Sequence, residues 1–278
     1  MILTMVEIIN ESNQNLELPL MDLTDGYLLA NVDGLDPVKA TLSSSTQATL
    51  PGEQFQSSRR TVRDVALTIE LLPDYITNDV AGLRRRLYTF LSPASPVTLK
   101  LYFDNDYYVY ATGRVESFDT ALFTQDPAVV VLVRCFDPDF IAAEPTIFEG
   151  TSVDEWTYAD MQYQGDQSTG FVFRTIVAEE VNIITVGLRD SRGNIPEFVF
   201  LNGVEPLAPG ELLEVSTVPG DKFARRIHEG VIKNALGSIT LESNWFKLAP
   251  GFNEIAVLAS SSSPISYTVE YNARFGGV

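Results

Sequence analysis

One histidine, His228, and one cysteine, Cys135, are the only side chains of this 278-residue chain suited to proton transfer or thiolate chemistry near neutral pH. A Ser-His-Asp or Cys-His unit needs its base beside its nucleophile. His228 lies in Arg225-Arg226-Ile227-His228-Glu229-Gly230, which reads as a surface strand or turn, and neither G-x-S-x-G nor S-x-x-K occurs. Cys135 ends the apolar run Val129-Val130-Val131-Leu132-Val133-Arg134-Cys135 and reads as a buried structural thiol. A lone cysteine excludes an internal disulfide framework and a cysteine-rich zinc site. Asp22, Asp25, Asp33 and Asp36 suggest an oxygen-ligand cation site, but Asp25-Gly26 and Asp33-Gly34 do not follow EF-hand spacing. They read as turn residues. No phosphate-binding glycine loop is present, and none of the 37 acidic residues is singled out as half of a glycosidase pair. The expected catalytic, metal and cofactor sites are therefore none.

Two sets of side chains keep a possible binding role. Trp156 and Trp245 would stack on sugar rings if exposed, or simply pack if buried. Arg84, Arg85 and Arg86 would grip a phosphate or a partner's carboxylates, or would form a solvated helix face. The net charge of −18 argues against phosphate, because it repels nucleic-acid backbones and anionic membranes alike. Hydrophobic residues at 45% and charged residues at 20% describe a globular chain. No apolar run approaches the roughly 18 residues of a membrane helix, so no membrane insertion is expected. Nor does the start resemble a signal peptide, which implies synthesis and retention in a cytoplasm unless an assembly carries the protein out.

The elements that would position these residues are mostly strands. Val65, Leu67, Ile69 and Leu71 alternate with polar or small residues, and Val97, Leu99, Leu101 and Phe103 do the same. Asp104-Asn105-Asp106 would turn the chain into a return strand, Tyr107 to Val115. Ala128 to Phe136, apolar on both faces, reads as a central strand. One helix is predicted from Val80, Leu83, Leu87 and Phe90 or Leu91, with Thr77, Asn78 or Asp79 as its cap and Ser92-Pro93 as its stop. Prolines at 138 and 145 bracket a change of texture, which places a domain boundary at 143/144. Beyond it, Asp154 to Gln167 reads as a long loop or an irregular strand. Further strands are expected at 171–177, 181–188, 198–201, 212–215, 238–241, 253–258 and 265–274. Turn signals between them include Asp190 to Asn194 and Asn202-Gly203. Short strands at this spacing imply a sandwich or jelly roll. Ser260 to Ser263 reads as a solvated loop.

The order of these pieces resembles the distal tail proteins of long-tailed, siphovirus-like bacteriophages. The resemblance is carried by Gly26-Tyr27-Leu28-Leu29, a long alternating strand from Arg59 to Leu72, and the helix ending Arg84-Arg85-Arg86-Leu87-Tyr88-Thr89-Phe90-Leu91-Ser92-Pro93. The hairpin of Val97 to Phe103 and Tyr107 to Val115 follows, and then Cys135-Phe136-Asp137-Pro138-Asp139-Phe140. A second hairpin would join Gly237 to Leu241 with Trp245 to Ile255. The resemblance implies a mainly β chain. Residues 1–143 would be a ring-forming domain of tail-tube-like β-sandwich or split-barrel type, with one flanking helix. Residues 144–278 would be an outward-facing β-sandwich like galectins and carbohydrate-binding modules. It also implies a homohexameric ring at the virion tail tip, assembled in the host cytoplasm and not enzymatic. That ring would join the tail tube protein to hub, fibre and receptor-binding proteins. DNA and the tape-measure protein would pass through its lumen, and six chains at −18 would carry −108, which would keep DNA from adhering. The implied alternative is a carbohydrate-binding module that attaches the tail tip to host glycans. Arg84, Arg85 and Arg86 would be inter-subunit contacts of the ring, and Trp156 and Trp245 the glycan-stacking aromatics of the alternative.

Overall fold

Alternation from Val65 to Leu71 buries every second side chain completely, and the same rule organises the first half of the molecule. A computed structural model describes residues 2–46, 51–74, 76, 79–104, 107–120, 127–153, 155–189, 197–201 and 205–278. Thr77, Asn78, Asn105, Asp106, Asp154, Asp190 to Asn194 and Asn202-Gly203, named above as caps, turns or loop residues, lie outside these. The described chain divides into two units: Met1–Ala143 with Phe275–Val278, and Glu144–Arg274.

The first unit contains β1 (Leu3–Asn10), β2 (Asn15–Pro19), β3 (Leu23–Thr24), β4 (Tyr27–Asp33), β5 (Ala40–Thr46), β6 (Glu53–Arg60), β7 (Arg63–Leu71), α1 (Val80–Phe90), β8 (Pro96–Phe103), β9 (Tyr108–Thr120), β10 (Ala128–Cys135) and β11 (Phe140–Ala142). Its main sheet runs β2-β1-β8-β9-β10-β7-β4-β3, and β11 pairs with β9. A bridge from Leu20 to Leu29 brings the two ends of this sheet together, so it curls into a split barrel. β10 is central, between β9 and β7, and inside it Val129, Val131, Val133 and Cys135 are buried. Leu83, Leu87 and Leu91 seal the barrel with one stripe of α1. Asp79 caps that helix by accepting from the Gly82 N–H at 2.6 Å, and the buried Tyr27 hydroxyl donates to the Leu83 carbonyl at 2.9 Å.

The stretch read as one strand from Arg59 to Leu72 is two. β6 ends at Arg60, Thr61 and Val62 break the ladder, and β7 begins at Arg63. β5 and β6 form a separate two-stranded ribbon, and of their fifteen residues only Ser45 is even half-buried. The turn at Gly34 feeds this ribbon. Its φ is +92°, and a Cβ there would stand 2.1 Å from the Asp64 carbonyl oxygen. Gly34→Ala is therefore expected to cost about 2–4 kcal/mol, read as a lowered urea midpoint.

The second unit contains β12 (Thr146–Ser152), β13 (Thr157–Tyr163), β14 (Val172–Ile176), β15 (Ile183–Arg189), β16 (Glu197–Leu201), β17 (Leu212–Ser216), β18 (Phe223–His228), β19 (Val231–Asn234), β20 (Gly251–Ala259) and β21 (Ile265–Tyr271). Two sheets, β12-β21-β14-β17-β18-β19 and β13-β20-β15-β16, face each other as a sandwich. Phe173 from the first sheet meets Phe198 from the second at 6.0 Å, edge to face, and stacks on Tyr267 at 5.6 Å. These buried rings are the middle of the core.

Two expectations change here. Asp154 to Gln167 contains a regular strand, β13, paired residue by residue with β20. Residues 238–241 are not a strand. A single 3-10 turn, Leu236–Ser238, stands there, Ile239 makes one bridge to Phe200, and Leu241 is fully exposed. No hairpin therefore joins Gly237 to Ile255, because an outward Leu241 leaves that segment without an apolar face to bury. The chain finally returns to the first unit. The last strand, β22 (Arg274–Phe275), pairs with β11, and Phe275 packs edge to face on Tyr107.

Candidate functional site

The two residues with the most reactive side chains are not placed for chemistry. Cys135 is wholly buried at the end of β10, and burial pushes its thiol up to about 11, which keeps it protonated. His228 ends β18 and is exposed. Among the described residues no group of three His, Cys, Asp or Glu side chains is arranged to hold a metal ion. What the fold does build, repeatedly, is arginine held by fixed acceptors.

In the first unit that residue is Arg63. It opens β7, is 1% exposed, and its Nε donates to the Pro138 carbonyl at 2.8 Å. Nη1 donates to the carbonyls of Gly34 (2.5 Å) and Asp36 (3.0 Å), and Nη2 to that of Gly276. Its guanidinium also lies 4.1 Å from the centre of the Phe140 ring. Four carbonyls from three separate segments thus converge on one cation. Beside it, Arg60 forms a two-point pair with the buried Asp139, tying the base of the exposed ribbon to the barrel.

In the second unit the register of the six-stranded sheet aligns Glu149, Thr268, Arg174, Glu214, Arg225 and Asn234 in one row on its outer face. Arg174 donates to Glu214 at 2.6 Å and also to Glu270, and Arg225 donates to Glu214 from the other side. The next row is Ile176, Leu212, Ile227 and Ile232, with Ile176 and Ile232 exposed. A hollow of about 730 Å³ lies beside Arg174, Ile176 and Leu212. Its charges already satisfy one another, so it offers shape rather than a reactive group. Behind the row, Arg226 and Glu211 form a buried two-point pair at 2.7 and 2.5 Å.

Carboxylates in such places titrate low. Burial raises Glu211 and Glu214, but hydrogen bonds from Arg226, and from Arg174 and Arg225, outweigh it, so both end below their ordinary 4.5. Glu7 behaves alike: burial raises it, while Tyr102 (2.7 Å) and Lys100 (3.1 Å) pull it lower still. Glu179 is held at about 2 by Ser261, the Ser263 N–H and Ser262, so the serine run is an anion cradle rather than a free loop. A folded-state pKa below the unfolded value stabilises the fold above the unfolded pKa, and that stabilisation is lost as pH falls through the folded pKa. Urea unfolding should accordingly show stability level above about pH 6 and falling below about 4.5. Glu214→Gln should flatten that fall.

The arginine triplet divides. Arg84 turns back to the Tyr88 hydroxyl (3.3 and 3.1 Å), and Arg86 reaches Asp25 at 3.3 Å. Arg85 is exposed. Trp156 is 38% exposed and leads into β13, one edge of the four-stranded sheet. Trp245 is half-buried under Lys222, whose Nζ lies 5.5 Å from the ring. It follows Asn244, whose N–H donates to Glu197 of β16, the opposite edge. The two indoles therefore share no platform. Sequence reasoning missed Arg63, Arg174 and Arg226. An arginine flanked by alternating apolar residues was the available signal.

Residues 164–275 match the family described as siphovirus-type tail component, C-terminal domain. The whole chain superposes on the crystal structure of the SPP1 Dit protein (gp 19.1), a protein described as a paradigm of the hub adsorption apparatus of phages infecting Gram-positive bacteria. That match has a TM-score of 0.69 at 16% identity and covers 97% of this chain and 99% of the other. The chain thus has the fold of the SPP1 Dit protein, and its residues 164–275 resemble a siphovirus-type tail component domain. The structure of the phage P2 baseplate in its activated conformation with calcium matches at a TM-score of 0.46 and 10% identity, over 97% of this chain and 98% of the other. No curated protein matches it.

Proposed function

We propose that this chain is a distal tail protein of a siphovirus-type phage, a ring-forming adaptor and not an enzyme. Six copies, assembled in the host cytoplasm, close head to tail at the tail tip through residues 1–143, and residues 144–278 face outward. The ring joins the tail tube protein to hub, fibre and receptor-binding proteins and lets DNA and the tape-measure protein pass. The observation that carries this reading is the end-to-end likeness of the fold to the SPP1 protein, together with the tail-component match of residues 164–275. The β5–β6 ribbon supports it. A two-stranded hairpin that buries neither face is marginal on its own, and a neighbouring copy would supply its missing partner. Leu42 and Phe55, both more than 60% exposed, lie on it. Native mass measurement and electron microscopy of purified protein with added tail partners should show six-membered rings. Monomers alone under those conditions would sink the reading.

Attachment to host glycans is a second reading, supported by the exposed Trp156 indole. Trp156→Ala should then lower retention on cell-wall glycan about two- to tenfold, since aromatic stacking contributes roughly 0.5–1.5 kcal/mol. Unchanged retention would remove Trp156 from it.

A further inference from the structure

Three consecutive arginines on α1 have three different surroundings, and among the described residues only Arg85 has no side-chain partner. Arg84 is engaged by Tyr88, and Arg86 by Asp25. Arg85 makes no ion pair among the described residues. Together Arg85 and Arg86 line a groove of about 570 Å³ with Gln14, Asn15, Gly82 and Thr89.

The groove has fixed walls. One is α1, set at its start by the Asp79 cap. The other is the turn between β1 and β2. Asn10 fixes that turn by accepting from the Ser12 and Gln14 N–H groups at 3.0 Å each. Its Nδ2 also donates to the Phe90 carbonyl at the end of α1 (3.4 Å). Gly82 has no side chain to fill the space, and Thr89 is short, so the approach to Arg85 is open.

Charge selects the occupant. The chain carries 37 acidic and 19 basic residues, so most of its surface repels a second copy. A groove presenting one unpaired guanidinium and one loosely paired guanidinium is a place where an acidic segment of that copy is attracted. Arginine presents a planar fork that matches a carboxylate in two-point geometry.

We propose that the α1 groove is a docking site for an acidic segment of a neighbouring copy of this chain, with Arg85 as its principal contact. The proposal rests on the ring reading above. Its test compares full-length wild type, Arg85→Glu and Arg85→Lys by light scattering and electron microscopy, with tail partners present, at about 50 and 300 mM salt. Wild-type assembly should weaken as salt rises, because the contact is an exposed charge pair. Arg85→Glu should need at least about tenfold more protein to assemble, with an unchanged thermal midpoint, and Arg85→Lys should fall between them. Equal assembly by Arg85→Glu and wild type, with equal salt dependence, would overturn the proposal while leaving the ring intact. Failure of wild type to assemble at either salt would overturn both, and through the ring reading. Duplex DNA binding lost in Arg85→Glu with assembly unchanged would give the groove to phosphate instead.

Discussion

Arg63→Met should lower the stability of the first unit by about 3–5 kcal/mol, a shift of roughly 10 °C or more in its thermal midpoint. The reason is the asymmetry between making and breaking buried polar contacts. A formed hydrogen bond contributes little net, but an abandoned buried acceptor retains its full desolvation cost. Removing the guanidinium abandons the carbonyls of Pro138, Gly34, Asp36 and Gly276 at once. Methionine would fill most of the space against Phe140 and satisfy none of them. Arg63→Lys should recover little, since an ammonium is a point charge and cannot fork to acceptors on several sides. Arg134→Met is the control. Its pairs with Asp64 and Glu116 are about 40% exposed, so its loss should cost under about 1 kcal/mol. A drop at Arg63 no larger than at Arg134 would refute the convergence argument. Limited proteolysis adds an independent readout. Gly276 is one of the four acceptors, so Arg63→Met should release the C-terminal residues to digestion before the barrel unfolds.

The corresponding result in the second unit concerns Glu211 and Arg226, which are 4% and 5% exposed. Glu211→Ala should cost about 3–5 kcal/mol, because it leaves a buried guanidinium held by the Glu205 and Pro206 carbonyls and only a looser, 3.6 Å pair with the exposed Glu205 carboxylate. Arg226→Met should cost a similar amount by stranding the carboxylate. The double variant should lose less than the sum, with a coupling of roughly 1–3 kcal/mol, since neither charge is then left alone. Denaturant unfolding of all four proteins at pH 7 measures this directly. Strict additivity would mean that the two side chains do not depend on each other. At pH 4 the wild-type advantage over Glu211→Ala should shrink, because the carboxylate stabilises the fold only above its unfolded pKa and loses that effect as it protonates.

These arginines also mark where sequence reasoning stopped. The alternation of Val65 to Leu71 and Val97 to Phe103 determined strands with one buried face, and the continuous apolar run Ala128 to Phe136 determined a central strand; the structure has all three, the last ending at Cys135. The Val80, Leu83, Leu87 spacing determined α1, because a period of 3.6 residues has one solution. Turn chemistry and short strands determined a mainly β chain. All of these are local properties, legible within about ten residues. The β5–β6 ribbon was illegible, since Ser43-Ser44-Ser45 and Ser57-Ser58 carry no apolar rhythm and the ribbon buries neither face. β13 was illegible as a regular strand because polar residues alternate with Ala159 and Met161 on a sheet edge.

Within the candidate surfaces, residue type determined that two indoles and three arginines were available for recognition. Only the tertiary structure decided that Trp156 and Trp245 stand at opposite sheet edges, and that Arg84, Arg85 and Arg86 have different neighbours. Arg63 is the clearest case. Its residue type marks it as a surface cation, yet its acceptors lie 27, 29, 75 and 213 residues away. No local pattern records contacts at that range. They exist because the sheet curls on itself and the chain end returns to it, and an arginine is buried only where such distant carbonyls replace its water.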